Sequence, residues 1–577
     1  RDNMTLNGSG YTIQGNNAGS GIHLAHRINV TIRNTNIQKF NYGIYIYQSS
    51  FTSFFENDLR HNADGFMLTE SSNNSISGNI VMWSSRGIHL SSSLNNSIIG
   101  NNATLNGAAI FPEYSHYNNI TQNSLAENGC GILFSYSSNN TVVGNDLKYY
   151  NLDGIKILRS SNNTFKNNTM AVNSYNFRVW GQNPSHFLND VDVSNTVDGK
   201  PIYYWIKESD RAIPADPGYV ALVNCTGISV KNLELTNNGE GVLLAYTTNS
   251  TIAENNITIC IDSIRLYRSS DNTICRNRIT RGYDRPSDAH IGIELIRSSN
   301  NDVSGNTIKN HEYGITLESY SSNNFVYHNN LIGNKYVQAM ESDNVINFWD
   351  SGYPSGGNYW SDHTSLDSYS GPYQNNTGSD GIGDTPYVIG YYESRDKYPL
   401  MSPWSSTSIR NTSFTKGGEN YDVEVISNVT VVDFTETPGS MKLSVTGESG
   451  TSGYVRIIQP VGLNSTNIKV FLNNTKLAFP SIDPPRSIST NGTHYFIYLA
   501  FTFNSAYEVI VAFPIEGDTD YDGTVNAHDV SLLAAAYGSE PEGSDWNPHV
   551  DIAEEYDIID LFDLFTVATN YGETWPP

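Results

Sequence analysis

Residues 95–111 read NNSIIGNNATLNGAAIF, and nearly the same phrase returns at 139–157 as NNTVVGNDLKYYNLDGIKI and at 249–266 as NSTIAENNITICIDSIRL. The apolar residue after each asparagine cluster sets a register. Ile32, Phe54, Ile76, Ile98, Ile120 and Val142 lie 22 residues apart, and Phe165 follows 23 later. Five residues beyond each comes another apolar residue: Ile37, Leu59, Val81, Ala103, Leu125, Leu147, Met170. Eleven beyond comes a small one, Gly43, Gly65, Gly87, Ala109 or Gly131, followed by apolar-x-apolar as in GIYI, GFML and GIHL. The register reappears at Val230, Ile252 and Ile274, then at Val303 and Val326. A fixed period of this length is a solenoid signature.

Helical repeats need longer units and a 3.6-residue pattern, and the leucine-rich frame Leu-x-x-Leu-x-Leu is absent. Short alternating strands broken by Gly and Asn fit a parallel β-helix, with alternate residues pointing inward. Asparagine suits the corners because it tolerates left-handed backbone and bonds its own backbone. Stacked coil on coil it also builds an amide ladder. Residues 3–345 make roughly 15 coils, or ~70 Å at the strand spacing. The weaker pattern between Phe165 and Val230 is expected to continue the helix for about three coils, and RGYDRPSDAH (281–290) to be a loop inserted into one repeat.

A chain of 577 residues is too long for one compact core. Its net charge of −25 argues against nucleic acid and suits a secreted protein or a cation binder. No apolar run reaches the ~18 residues of a membrane span. The chain begins at Arg1 already within repeat-like text, consistent with a processed leader. Four cysteines, Cys130, Cys225, Cys260 and Cys275, lack CxxC spacing and leave three full pairings open. There are 19 Asn-x-Ser/Thr sequons. Asn29, Asn102, Asn224, Asn249, Asn375, Asn411, Asn428, Asn464, Asn473 and Asn491 are the candidate glycan acceptors of an extracellular chain.

The stretches NTVDGKPIYYWIKESDRAIPADPGYVALVNCTGISVKNLELTNNGEGVLLAYTTNSTI and NFWDSGYPSGGNYWSDHTSLDSYSGPYQNNTGSDGIGDTPYVI carry a resemblance. Over about Asn3 to Met401 the chain resembles the NosD-like, carbohydrate-binding and sugar-hydrolase family of right-handed parallel β-helices, especially archaeal surface members. The resemblance implies the fold; a fold does not confer chemistry.

On a β-helix the x of each G-apolar-x-apolar unit points out. Down the stack that column is Tyr45, Met67, His89, Phe111, Leu133 and Lys156, then Leu243, Arg265, Glu294 and Thr316. Tyr45, Met67, Phe111 and Leu133 form an apolar stripe of the kind that marks a contact surface. Arg265 and Glu294 are expected to pair as neighbours. No carboxylates on adjacent coils stand out as acid and base, and His89 and His116 show no partner, so the rod reads as non-catalytic. If it is catalytic, a polysaccharide lyase or glycoside hydrolase is implied. Asp362, Asp367, Asp380 and Asp384, set among glycines, read as a turn-rich cap more than a calcium site, with Tyr359, Trp360, Tyr369 and Tyr373 filling the end of the core.

Composition shifts near residue 404, giving domains at 1–403, 404–514 and 515–577. The middle one shows alternating runs such as YDVEVISNVTVVDF, MKLSVTG and HYFIYLAFTF, a β-sandwich pattern. The last opens with DTDYDGTVNAHD, a twelve-residue calcium loop. Its oxygen ligands are Asp518, Asp520, Asp522, the Thr524 carbonyl, Asn526 and Asp529, with Gly523 at the bend. Asp in the last position and the following VSLLAAAYG helix resemble a dockerin module. SDWNPHVDIAEEYDIIDLFDLFTVATNYG resembles its second half, where Asp551, Glu555, Asp560 and Asp563 are the available ligands and the spacing departs from the pattern. The fold class is therefore all-β: a right-handed parallel β-helix, a β-sandwich, then a small helical calcium module. The expected role is an extracellular, glycosylated, Ca2+-binding structural or adhesive surface protein that self-associates head to tail. The rivals are polysaccharide binding or cleavage, and dockerin-tethered assembly on a cohesin-like partner.

Overall fold

The computed structural model describes residues 1–282, 289–343, 345–353, 355–390 and 394–404, most of 409–512, and 518–520, 524–537 and 561–572. One coil shows why the phrase repeats. Asn95 is exposed with φ 54°, and Asn96 beside it is buried. Ser97–Ile99 is a strand, Gly100 turns at φ 63°, and Asn101 is buried. Asn102–Thr104 is the second strand, Leu105 turns at φ 60°, and Asn106 is buried. Ala108–Glu113 is the third strand. Each corner thus takes two adjacent residues, one left-handed and outside, one extended and inside. The expectation that a single asparagine does both is corrected here. In the pairs Asn73–Asn74, Asn95–Asn96, Asn139–Asn140 and Asn162–Asn163 the first turns the chain and the second fills the core.

Coils stack in register. Ile98 pairs in parallel with Ile76 on one side and Ile120 on the other, and Ile32, Phe54 and Phe165 share that buried column. Three-strand coils joined by right-handed crossovers make the parallel β-helix. The inward asparagines form ladders. Along Asn57, Asn79, Asn101, Asn123, Asn145 and Asn168, each Oδ1 accepts the backbone N–H of the preceding rung at 2.9–3.0 Å. A second ladder runs through Asn74, Asn96, Asn118, Asn140 and Asn163, and a third through Asn106, Asn128, Asn151 and Asn173. The ladders satisfy corner backbone groups that water cannot reach. The small residue opening each third strand is set by crowding: a Cβ on Gly87 would lie 2.5 Å from the Ala109 carbonyl oxygen.

The stretch expected to hold about three further coils does not. Asp190–Val191 and Thr196–Val197 extend the first stack, and a hairpin then reverses the chain at Asp198 (φ 49°) and Gly199 (φ 83°). Thr196 and Val197 pair antiparallel with Pro201 and Lys200. Both turn residues are left-handed, as the tightest hairpin turns demand, and Asp-Gly suits them. Strands Lys200–Ile206 and Tyr219–Val223 then lead into Glu240–Ala245. The second strands of the first stack and the third strands of the second consequently share one 16-stranded sheet. Five- and six-stranded parallel sheets complete the second stack.

All four cysteines are free thiols; Cys130, Cys225 and Cys260 are buried. Burial pushes the Cys260 thiol up to about 12, so these are inert core residues.

By contacts the chain divides into two compact units: Arg1–Val326 with Leu331–Phe348 and Ile389–Ser394, and Tyr327–Asn330 with Trp349–Val388 and Arg395–Pro577. In the second, the acidic turn segment ties itself together. Asp367 accepts the Asp380 and Gly381 amides at 2.9 Å, Asp384 accepts those of Ser368 and Tyr369, and Asp380 accepts those of Gly371 and Ile382. Trp360 is buried, stacks on Tyr387 and donates Nε1–H to Asp396 at 2.8 Å, whereas Tyr369 and Tyr373 are exposed and fill no core. Residues 409–512 form a six-stranded and a five-stranded antiparallel sheet. Val423, Val425, Val455 and Ile457 of one and Leu443, Val445, Val509 and Val511 of the other bury in a shared core. Helices α1 (Ala527–Ala536) and α2 (Leu561–Asn570) follow, with Val525, Leu533, Ala536 and Val567 buried together.

Candidate functional site

After the third strand Tyr175–Trp180, the chain makes a short 3-10 turn, Pro184–Phe187, before rejoining the coil. It folds back on the third-strand face of the second stack. Gln182 O accepts the Tyr267 hydroxyl at 2.7 Å, and the Phe187 ring packs 5.4 Å from Tyr267. Between this segment and the sheet lies a cleft of about 490 Å³, with Trp180, Gln182 and Asn183 on one wall and Arg265, Glu294 and Glu318 on the other.

The expected pairing is present: Arg265 and Glu294 are register neighbours, Nε to Oε2 2.9 Å. It is one edge of a larger cluster. Arg265 Nη1 lies 3.2 Å from Asp262 Oδ2 and 3.9 Å from Glu240 Oε1. Glu240 is wholly buried, its other oxygen accepting the Val179 amide at 3.1 Å and the Tyr219 hydroxyl at 3.0 Å. Several carboxylates thus crowd one buried guanidinium. Burial raises Glu240 to about 7 against the pull of Arg265 and Arg178. Burial and the Asp262 charge raise Glu294 to about 8 despite Arg265. Glu318 is raised by burial as well. Clefts with carboxylates held partly protonated near neutrality are where proton-transferring or ligand-binding groups gather.

The cluster adds a pair of carboxylates on adjacent coils that the outward column did not show, since Glu240 and Asp262 are register partners. They were missed because only the outward x column was read. They occupy the position before the small residue (EGVL, DSIR), and at the matching position Asp64 also meets an outward side chain, with His89 Nδ1 3.7 Å away. His89 is therefore not isolated: it is 2 % exposed, lies 3.3 Å from Glu113 and stacks on Phe111. His116 accepts the Ser138 amide. Tyr45, Met67, Phe111 and Leu133 are half-buried, with Tyr45 stacked between His23 and Tyr42. Leu243, Arg265, Glu294 and Thr316 of the same column are buried.

At the chain's far end Asp518, Asp520 and Asp529 bring carboxylate oxygens within 4.8 Å of one another. Asp518 and Asp529 are buried. Asn526 caps α1 by accepting the His528 amide at 2.7 Å, and Asp529 returns the contact by accepting the Asn526 amide. The Thr524 carbonyl accepts the Asn526 amide group. Asp563 is buried in the first turn of α2. Asp522, Asp551, Glu555 and Asp560 lie outside the described residues, as do Asn428, Asn464 and Asn491. Among the other candidate acceptors Asn29, Asn102, Asn224, Asn249, Asn375 and Asn473 are exposed, and Asn411 lies in strand Ile409–Lys416.

Fold and cleft together define a parallel β-helix protein with a polar groove on its flank. The chain belongs to the NosD family, whose model, described as "Periplasmic copper-binding protein (NosD)", matches residues 3–152 and 215–365. No curated protein matches the chain. Solved structures similar to it include the Dettilon tailspike protein, 13% identical, covering 89% of this chain and 87% of that one with a TM-score of 0.25. The A-module of the Azotobacter vinelandii mannuronan C-5 epimerase AlgE6 is 14% identical over 58% of this chain and 88% of that one, TM-score 0.24. A tailspike protein of E. coli bacteriophage HK620 in complex with pentasaccharide is 9% identical over 86% and 85%, TM-score 0.27. Likenesses this remote carry no argument about activity. Among the described residues no group of three or more His, Cys, Asp or Glu that contains a His or Cys comes close enough to share an ion. Among the described residues the group of three or more His, Cys, Asp or Glu able to share an ion is Asp518, Asp520 and Asp529. Those are hard oxygen donors, and copper sites draw on imidazole, thiolate and thioether.

Proposed function

We propose that this NosD-family β-helix works outside the cytoplasm as a carbohydrate-binding rod whose ligand lies in the cleft over Arg265 and Glu294. The single observation that carries this reading is an open groove lined by Arg265, Glu294, Glu318 and Trp180, with the buried Glu240 and Asp262 held against Arg265. Sugars are recognised by charged side chains that make several hydrogen bonds to vicinal hydroxyls and by an aromatic wall. A partly protonated Glu294 offers both donor and acceptor. Affinity electrophoresis in a panel of neutral and acidic polysaccharides tests it. Retardation by at least one, lost in Glu294→Ala, supports the reading; no retardation by any, or the same retardation in the variant, ends it.

The remaining readings are proposals that accompany this one. Residues 404–514 are read as a β-sandwich spacer and 515–577 as a dockerin-like Ca2+ module, in which Asp518, Asp520 and Asp529 supply the oxygens that a divalent cation needs to offset their mutual repulsion. Exposed sequons fit a glycosylated surface protein. Head-to-tail self-association and a cohesin-like partner have weaker support, because the stripe of Tyr45, Met67, Phe111 and Leu133 is half-covered by its own neighbours.

A further inference from the structure

The rim of the cleft carries a charge of opposite sign to the rest of the molecule. Tyr267 and Ile296 are register partners, so the residues that follow them, Arg268 and Arg297, stand one coil apart at the same corner. Both are exposed and left-handed, with φ 49° and 51°. Arg297 lines the cleft, and the Arg268 guanidinium lies 5.9 Å from the centre of the Tyr246 ring on the coil before. Burial raises the Tyr246 phenol, and the charges of Arg268 and Arg297 both pull it back, so the two guanidiniums converge on that ring.

Neither arginine is in an ion pair among the described residues. Arginines of the same unit at other surfaces are neutralised: Arg60, Arg86, Arg211 and Arg276 each hold a carboxylate at 2.6–2.9 Å. In a chain with 33 basic and 58 acidic residues, two unpaired guanidiniums on neighbouring coils stand out. Like charges placed directly opposite repel, and an anion between them removes that cost. The guanidinium fork matches such an anion with two parallel hydrogen bonds.

The carboxyl groups below do not forbid an anionic ligand. Glu240, Asp262 and Glu294 all lie within 3.9 Å of Arg265, and one guanidinium does not neutralise three carboxylates. The cluster therefore keeps a proton. On the cleft side it sits on Glu294, which burial and the Asp262 charge raise to about 8. The floor thus donates a hydrogen bond where it would otherwise repel. The folded-back segment brings only the uncharged Trp180, Gln182 and Asn183 to the opposite wall.

We propose that the cleft takes an acidic sugar chain, the anionic group of one residue held by Arg268 and Arg297 and a neighbouring ring seated on the floor against Trp180. This rests on the carbohydrate reading of the cleft and names the class of sugar. The net charge of −25 repels polyanions everywhere else on the chain, so binding of one reports a local site.

Biolayer interferometry on the full chain, with polysaccharides fixed by one end, tests it. Polygalacturonate and alginate offer carboxylates, dextran sulfate offers sulfates, and dextran and pullulan are neutral. Binding to at least one acidic chain is expected to be tighter than to either neutral one, and the acidic arms tell which anion the arginines take. Affinity for that chain should fall about tenfold or more when Arg268→Gln and Arg297→Gln are combined, with no change in melting temperature. Arg276→Gln with Arg278→Gln removes the same charge from another face and should leave the affinity unchanged. Neutral chains binding as tightly as acidic ones overturn the proposal, and loss of that binding in Glu294→Ala leaves the carbohydrate reading standing. Acidic-chain binding that survives loss of Arg268 and Arg297, or that falls equally in the control pair, overturns it too. Binding to none of the chains ends both.

Discussion

Adjacent asparagines at one corner should behave as different residues. Asn96 is buried. Its Oδ1 accepts the Asn74 amide at 2.9 Å and the Asn74 side chain at 3.0 Å, while its Nδ2 donates to Ser71 O at 3.0 Å and Asn118 Oδ1 at 3.1 Å. Asn96→Ala therefore strips four buried atoms of a partner. At about 1 kcal/mol net for each lost bond, the cost is about 4 kcal/mol. Asn95, one residue earlier, is exposed and turns the chain at φ 54°. Asn95→Ala loses only left-handed tolerance, about 1 kcal/mol, and Asn95→Gly should be neutral. Hydrogen-exchange mass spectrometry of peptides spanning 71–99 reads the two separately from the second unit. Asn96→Ala should raise exchange by roughly three orders of magnitude, using 1.4 kcal/mol per tenfold. Asn95→Ala should raise it by less than about tenfold on the same scale. Equal effects from the two variants would refute the division of labour at the corners, and with it the account of why the phrase repeats.

Glu240 and Glu294 are both raised above the ordinary carboxylate value of 4.5, to about 7 and about 8. A raised folded value means stability is fully present below about pH 4.5 and is lost as pH rises through 7 to 8. Asp367 and Asp396, each pushed to about 7 by burial, add the same sign. The melting temperature should therefore fall from pH 5 to pH 9 and fall less in Glu294→Gln; equal slopes would remove Glu294 from the account. Gly87→Ala puts its Cβ 2.5 Å from Ala109 O, so it should destabilise by about 2 kcal/mol through a forced coil shift, read by urea titration. Calorimetric titration should find Ca2+ bound in the sub-millimolar to millimolar range, with Asp529→Ala abolishing that heat and chelation lowering the melting temperature of wild type only.

The coil, its inward residues and the asparagine ladders were legible in one dimension. A 22-residue period forces residues one period apart to be neighbours, and pairing such as Ile76 with Ile98 follows from counting. The division of each corner between two residues was not legible, because both positions accept asparagine and only backbone torsion separates Asn95 from Asn96. Nor was the hairpin at Asp198–Gly199. Its Asp-Gly sits in weak-pattern text, and reversing the chain there depends on which strand it can pair with.

The sites divide the same way. Asp518, Asp520 and Asp529, proposed above as cation ligands, lie close in sequence, so their spacing alone pointed to the acidic cluster they form. The cleft joins residues far apart in the chain, Trp180 with Glu318, and the buried Tyr175 hydroxyl likewise meets His290 from a distant segment. A repeating sequence fixes what lies above and below each residue along the rod. What lies across the surface depends on where a break in the repeat folds back, and that is a contact no period encodes.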